Sequence, residues 1–170
     1  MSDIAIRPLI DEDAAAFKVL RLKAIEDSPT AIWPTHDEES GRTLEETRNR
    51  IRATEYQIVF GAFAGPELIG IAGLRREPLA QVAHKAVLWG VFVDPAHRRG
   101  GIAARLLDAA IAHARAARVL QIHLCVNAEN PRAQTLYRNA GFETFGVERR
   151  AMRVGDRFYD EEHMALRLDV

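Results

Sequence analysis

Between the apolar run Val91-Phe92-Val93 and the alanine-rich stretch that starts at Ile102 stands His97-Arg98-Arg99-Gly100-Gly101. Two guanidinium groups and two residues without side chains, at the head of a helix, suit an anion. The first amides of a helix have no partner inside it, and the aligned peptide dipoles leave about half a positive charge there. Gly100 and Gly101 remove the Cβ atoms that would hold a phosphate off the backbone, and Ala103 keeps the first turn lean. Arg98 and Arg99 add charge-assisted hydrogen bonds. A nucleoside-triphosphate loop would carry lysine and serine or threonine after its glycines, and a dinucleotide turn would carry three glycines after an early strand. Neither is present, and these residues taken alone read equally well as a strand-to-helix connector with solvated arginines.

A second group follows the next strand: Asn127-Ala128-Glu129-Asn130-Pro131, then Ala133, Leu136 and Tyr137 at helical spacing, then Gly141-Phe142. Asn130 is placed to cap the helix that Pro131 opens. Tyr137 shares a face with Ala133, Leu136 and Ala140, which on spacing alone makes it a core aromatic. No metal motif occurs: His113 lacks a partner one turn on, and no Cys/His cluster is visible in the spacing.

The elements that must position these residues follow from periodicity and turns. Residues 4–10 alternate as a strand, and a helix follows with Asp11 as N-cap and Phe17, Leu20 and Ile25 on its apolar side. Residues 28–41, with two prolines and Trp33, read as irregular, and residues 43–55 as a solvated helix. Gln57–Ala64 and Leu68–Arg75, joined by Gly65-Pro66-Glu67, form an antiparallel hairpin. Ala86–Val93 is apolar enough to be a central strand covered on both faces. A helix from about Gly100 to Arg118 buries Ile102, Leu106, Leu107 and Ile111, residues 119–127 are another strand, and residues 157–168 close the chain as the last. The expectation is a mixed sheet covered by helices, α/β or α+β in class, with residues 1–170 forming one domain.

Composition limits the partners. The 23 basic and 24 acidic side chains nearly cancel, so no global field favours nucleic acid or an anionic membrane, and two arginines are too few for a steep salt dependence. The N-terminal residues, acidic by the third position and without a continuous apolar run, are expected to form neither a signal peptide nor a membrane anchor, and the single cysteine, Cys125, reads as a buried apolar residue in a reducing cytoplasm.

Arg98 to Ala103, "RRGGIA", resembles the Gln/Arg-x-x-Gly-x-Gly/Ala signature of the GNAT acyltransferase superfamily, and Asn127 to Phe142 is similar to its Asn-x-x-Ala-x-x-Leu-Tyr-x-x-x-Gly-Phe block, in the same order. The resemblance covers about half the chain. It implies a mostly antiparallel mixed sheet of about seven strands with about four helices, and a splayed strand pair at the cofactor site. It implies that Arg98, Arg99, Gly100, Gly101, Ile102 and Ala103 cradle the pyrophosphate of acetyl-CoA. Main-chain groups of Val91, Phe92 and Val93 would hold the pantetheine arm, Asn130 would contact the cofactor, and Tyr137 would protonate the departing thiolate. Gly90 is compatible with a bulge there, or with packing beneath Trp89. The implied activity is direct transfer of acetyl to a primary amine, without a metal, by a homodimer; a coenzyme A sensor in which Tyr137 merely packs is the alternative.

Many members carry a glutamate on or near the strand at Ala86–Val93, and this chain has none. His84 and His123 are the nearby titratable candidates, and Asp160, Glu161 and Glu162, in what reads as the turn before the last strand, are distal carboxylates that can act through water. On the acceptor side Trp33 can stack on a substrate and Asp37, Glu38 and Glu39 can attract a cation, or the acids simply favour a helix N-terminus. The acceptor is open among antibiotic, small amine, amino acid and protein N-terminus.

Overall fold

The computed structural model describes residues 3–170. In chain order the elements are β1 (Ile4–Pro8), α1 (Ala14–Asp27), α2 (His36–Ser40), α3 (Leu44–Ile51), β2 (Gln57–Ala64), β3 (Glu67–Arg76), β4 (Lys85–Val93), α4 (Ile102–Ala116), β5 (Gln121–Asn127), α5 (Pro131–Asn139), β6 (Glu143–Val154) and β7 (Arg157–Arg167). The seven strands form one sheet in the order β1-β2-β3-β4-β5-β7-β6, in which only β4 and β5 run parallel. The expected sheet is present, with five helices among the described residues rather than about four.

Each face of the sheet has its own core, because the strands alternate and both faces are covered. On one, Leu106, Leu107 and Ala110 of α4 and Tyr137 of α5 pack against Leu74, Leu88, Ile122 and Met164. On the other, Phe17, Leu20 and Ala24 of α1 and Ile51 of α3 pack against Val59, Ile71 and Phe92. The α4 stripe is the one its spacing predicted.

Four readings of the sequence change. Asp11 does not cap α1: the chain enters through a 3-10 turn at Asp11–Asp13, Asp11 pairs with Arg52 at 2.7 Å, and the Asp13 carboxylate accepts from the Ile10 amide. The irregular segment contains α2, whose Thr35 hydroxyl accepts from Glu38 while the Glu38 carboxylate accepts from the Thr35 amide. The final hairpin turns at Gly155-Asp156, so Asp160, Glu161 and Glu162 lie inside β7 and not in a turn. Cys125 is exposed, since it shares the β5 face of His123 while Ile122, Leu124 and Val126 take the core face.

Candidate active site

β4 and β5 pair only at Lys85–Gln121, Ala86–Ile122 and Val87–His123, and then part. On its other side β4 carries a bulge: Gly73 faces Trp89 and Ile71 faces Phe92, so Gly90 and Val91 together oppose Ala72. Gly90 has φ +67°, a conformation that costs a side-chain-bearing residue, and a Cβ there would meet Arg21 Nη1 at 3.3 Å. The glycine lying beneath the Trp89 indole is Gly73, not Gly90. The expectation that β4 is covered on both faces is corrected: Val87, although still paired with His123, is exposed, and Trp89–Val91 are only half-buried.

The opening is a cleft of about 880 Å³. Val91, Phe92 and Val93 line it, as do Arg98, Arg99, Gly101, Ala103, Asn130 and Tyr137. Gly100 and Ile102 do not: Ile102 is buried in the core, and Gly100 sits behind the turn. Arg99 and Gly101, with φ 73° and 72°, curl the backbone ahead of α4, and no side chain caps that helix. Consecutive amides in such a turn make a concavity for an anion. Only Gly101 owes its identity to the backbone, since Gly100 has an ordinary φ and a Cβ there meets nothing nearer than 3.9 Å. Arg98 spends its donors inside the protein, Nε to the Val93 carbonyl at 3.1 Å and Nη2 to Asp27 at 2.7 Å. That bond holds the Asp27 carboxyl below its usual range. Arg99 is exposed and has no ion pair among the described residues.

Tyr137 is 9% exposed, with its ring edge-on to Phe142 at 5.9 Å, and burial pushes its phenol up to about 12. Asn130 caps α5, its side-chain oxygen accepting from Ala133 N at 3.2 Å. Strand alternation turns one acid of the β7 trio into the cleft: Glu161, opposite Asn127 and 5% exposed. Its Oε1 accepts from the Trp33 indole at 2.8 Å, and its Oε2 is buried without a partner. Asp160 binds Arg149 and the Arg150 amide, and Glu162 binds Arg138, Thr144 and Gln134. Neither histidine lines the cleft: His84 is exposed at the start of β4, and His123 lies against Gln121 and Phe145. Burial, then Lys85, pulls the His123 imidazole below its ordinary value.

Folding also assembles what linear spacing hides. Cys125 faces His163 across the β5–β7 ladder, and with Glu161 each offers a ligand atom within 4.8 Å of the others. The expectation of no Cys/His cluster is therefore corrected. The thiol lies 3.4 Å from His163 Nδ1, and shielding of the sulfur, with Glu161 and Glu148 nearby, pushes it up to about 11. At neutral pH it is a thiol, a poor nucleophile.

The acceptor wall has the opposite charge to that expected. Glu39 is 2% exposed and enclosed by Arg50 at 3.0 Å, Arg42 at 3.6 Å and Arg21 at 3.9 Å. Glu38 is spent on capping α2. Charged side chains lining the whole cleft are seven arginines and two glutamates, and on this wall Arg21, Arg42 and Arg50 face it with Glu38, a balance that attracts anions rather than cations. The sequence reading missed Arg21 and Arg50, whose partner Glu39 lies on another helix, and Arg42, three residues beyond Glu39; the Thr35-x-x-Glu38 capping box was the available signal for α2.

No helix is long and apolar enough to cross a membrane among the described residues. The profile of the acetyltransferase (GNAT) family matches residues 22–142. The chain is 36% identical over 110 residues to the N-alpha-acetyltransferase RimI of Mycobacterium tuberculosis; the match spans 62% of this chain and 65% of that one, just under two thirds of the relative. Among solved structures, the GNAT acetyltransferase from Streptococcus pneumoniae superposes with TM-score 0.88 at 23% identity, over 98% of this chain and 100% of that one. The structure of yncA from Salmonella typhimurium, with its cofactor acetyl-CoA, gives 0.85 at 22%, over 99% and 96%. The profile match takes in every element around the cleft except the first half of α1, the terminal hairpin and the residues before them, and on that ground the chain belongs to the GNAT family of acetyltransferases.

Proposed function

We propose that this acetyltransferase moves the acetyl group of acetyl-CoA onto a primary amine by direct attack, with both substrates held in the cleft between β4 and β5. The observation that carries the reading is the parting of the two strands after Val87, which leaves a backbone edge on β4 in the same cleft as the Arg99–Gly101 turn, Tyr137 and Glu161. A peptide-like arm satisfies such an edge by hydrogen bonding to main-chain groups of Val91 to Val93, and the turn receives a diphosphate. The residues present fit acetyl-CoA, and the thioester it supplies is the acyl donor.

Glu161 is placed to take a proton from the amine. Its unpartnered Oε2 is a free acceptor and Trp33 fixes its other oxygen. The amine nitrogen then forms the C–N bond as the C–S bond breaks and the sulfur leaves with the electron pair. Tyr137 donates a hydrogen bond to that sulfur. With its phenol near 12, full transfer to a thiolate whose conjugate acid lies near 8.5 is uphill by about 5 kcal/mol. The stabilising act of Tyr137 is therefore donation rather than surrender of its proton, and the proton on Glu161 is the one that reaches the thiol through solvent. The name of the RimI relative favours an α-amine as acceptor.

Calorimetry with acetyl-CoA on the parent and on Gly101→Glu, paired with thiol release on an amine panel, tests the reading. The expectation is uptake by the parent, none by the variant, and thiol release with at least one amine. Equal uptake by both removes the cradle, and uptake without thiol release on any amine removes the catalysis.

A further inference from the structure

Resting on that reading, we infer that the acceptor carries a carboxylate, received by Arg21 and Arg42 on the wall built by α1 and α2. Arg50 gives Nη1 to both oxygens of Glu39, at 3.0 and 3.3 Å, and its guanidinium lies 4.7 Å from the centre of the Trp89 ring. The Glu39 carboxylate is thereby committed to Arg50. Arg21, 4% exposed, reaches Glu39 only at 3.9 Å, and its Nε has no hydrogen-bond partner. Arg42 stands 3.6 Å from the same carboxylate, again with Nε unpartnered. Both line the cleft, and Arg21 Nη1 stands against Gly90, at the bulge where β4 opens toward the acyl site.

Three guanidiniums around one carboxylate leave an excess of positive charge, and at Arg21, which is buried, that excess is costly unless an anion completes it. A planar carboxylate matches the guanidinium fork, and partial burial strengthens the pair. Two sources supply a carboxylate beside an amine: a free amino acid, or a peptide whose acidic side chain follows its N-terminus.

The test compares acetyl transfer, in the unaltered protein, to the twenty L-amino acids and to their C-terminal amides, and to tetrapeptides beginning Ala-Asp and Ala-Asn. Acceptors with the carboxylate should be favoured in kcat/KM by at least about tenfold. Arg21→Gln should erase that ratio while acetyl-CoA still binds in calorimetry, and Arg42→Gln serves if the first variant does not fold. A preference confined to the Asp peptide assigns the peptide source; one confined to the amino acids assigns the free acid. Equal or faster transfer to the amides overturns the inference and leaves the acetyltransferase reading intact. If no amine is acetylated, titration with N-acetylglycine against N-acetylglycinamide decides: binding of the acid alone keeps the carboxylate pocket while the proposed transfer falls, and binding of neither overturns the pocket.

Discussion

Glu161 and Tyr137 line one cleft, the proposed reaction gives them opposite tasks, and each can be replaced with little change of shape. In Glu161→Gln the amide oxygen still accepts from Trp33, so the wall keeps its form and only the proton acceptor is lost. The expected result is a fall in kcat/KM of roughly 10²-fold or more at neutral pH, with acetyl-CoA affinity unchanged; an unaltered rate and pH profile would assign the proton to solvent. Tyr137→Phe should lower kcat on the order of 10²-fold with little effect on the KM for acetyl-CoA. The phenol also links stability to pH. Its folded value of about 12 lies above the ordinary 10, so the neutral form is favoured in the fold. The contribution is complete below about pH 10 and is lost as pH rises from about 10 toward 12, amounting to about 2–3 kcal/mol. Chemical denaturation of parent and Tyr137→Phe across that interval should show the parent losing more stability; parallel curves would mean the phenol is not desolvated as its burial requires.

At the scale of elements, the head of α4 divides two glycines that look alike in sequence. Gly101 has φ +72° with open space where a Cβ would point, whereas Gly100 has an ordinary backbone and room for a methyl group. Gly101→Ala should therefore destabilise by about 1 kcal/mol and weaken acetyl-CoA binding, while Gly100→Ala keeps affinity within a factor of about two. Calorimetry of the two variants checks the contrast, and equal losses would show that the cradle needs both. Periodicity reported α4, the β2–β3 hairpin and the strand at β4, because each is a continuous apolar stripe or run in the sequence. The family resemblance could be seen at Arg98–Ala103 and Asn127–Phe142 because each block is contiguous. Pairings between elements were not readable in advance. Glu161 enters the cleft and Asp160 does not because Glu161 pairs with Asn127 of β5; residues 157–168 read as the last strand in the sequence, but nothing in their spacing fixes that pairing. The charge of the acceptor wall was misread for a related reason: Glu39 is one of three acids in a row, but only folding surrounds it with arginines from α1, α3 and the loop after α2.

At the scale of the whole molecule, the sheet is one ladder of strands held across its middle by three residue pairs. On one side of that seam lie β1 to β4, and on the other β5, β7 and β6. Past Val87 the seam is bridged by the packing of α4 and α5 beneath it and by contacts such as Trp33 to Glu161 and Asn127 to the Thr30 carbonyl, so much of the β4 edge is left without a strand partner. An arm that bonds β4 while its diphosphate sits at α4 adds connections where the sheet has fewest. Binding to the folded form alone raises stability by about 2.7 kcal/mol at a ligand concentration a hundredfold above Kd. For a chain of this length that corresponds to a Tm increase of about 5–10 °C. Hydrogen exchange should localise the effect: amides of Leu88 to Val93 slow on addition of acetyl-CoA, while those of β6, the edge strand separated from the seam by β5 and β7, keep their rates. Gly101→Glu should abolish both the Tm increase and the local protection. Protection spread evenly over all seven strands, or a Tm increase that survives in Gly101→Glu, would place the ligand somewhere other than the seam.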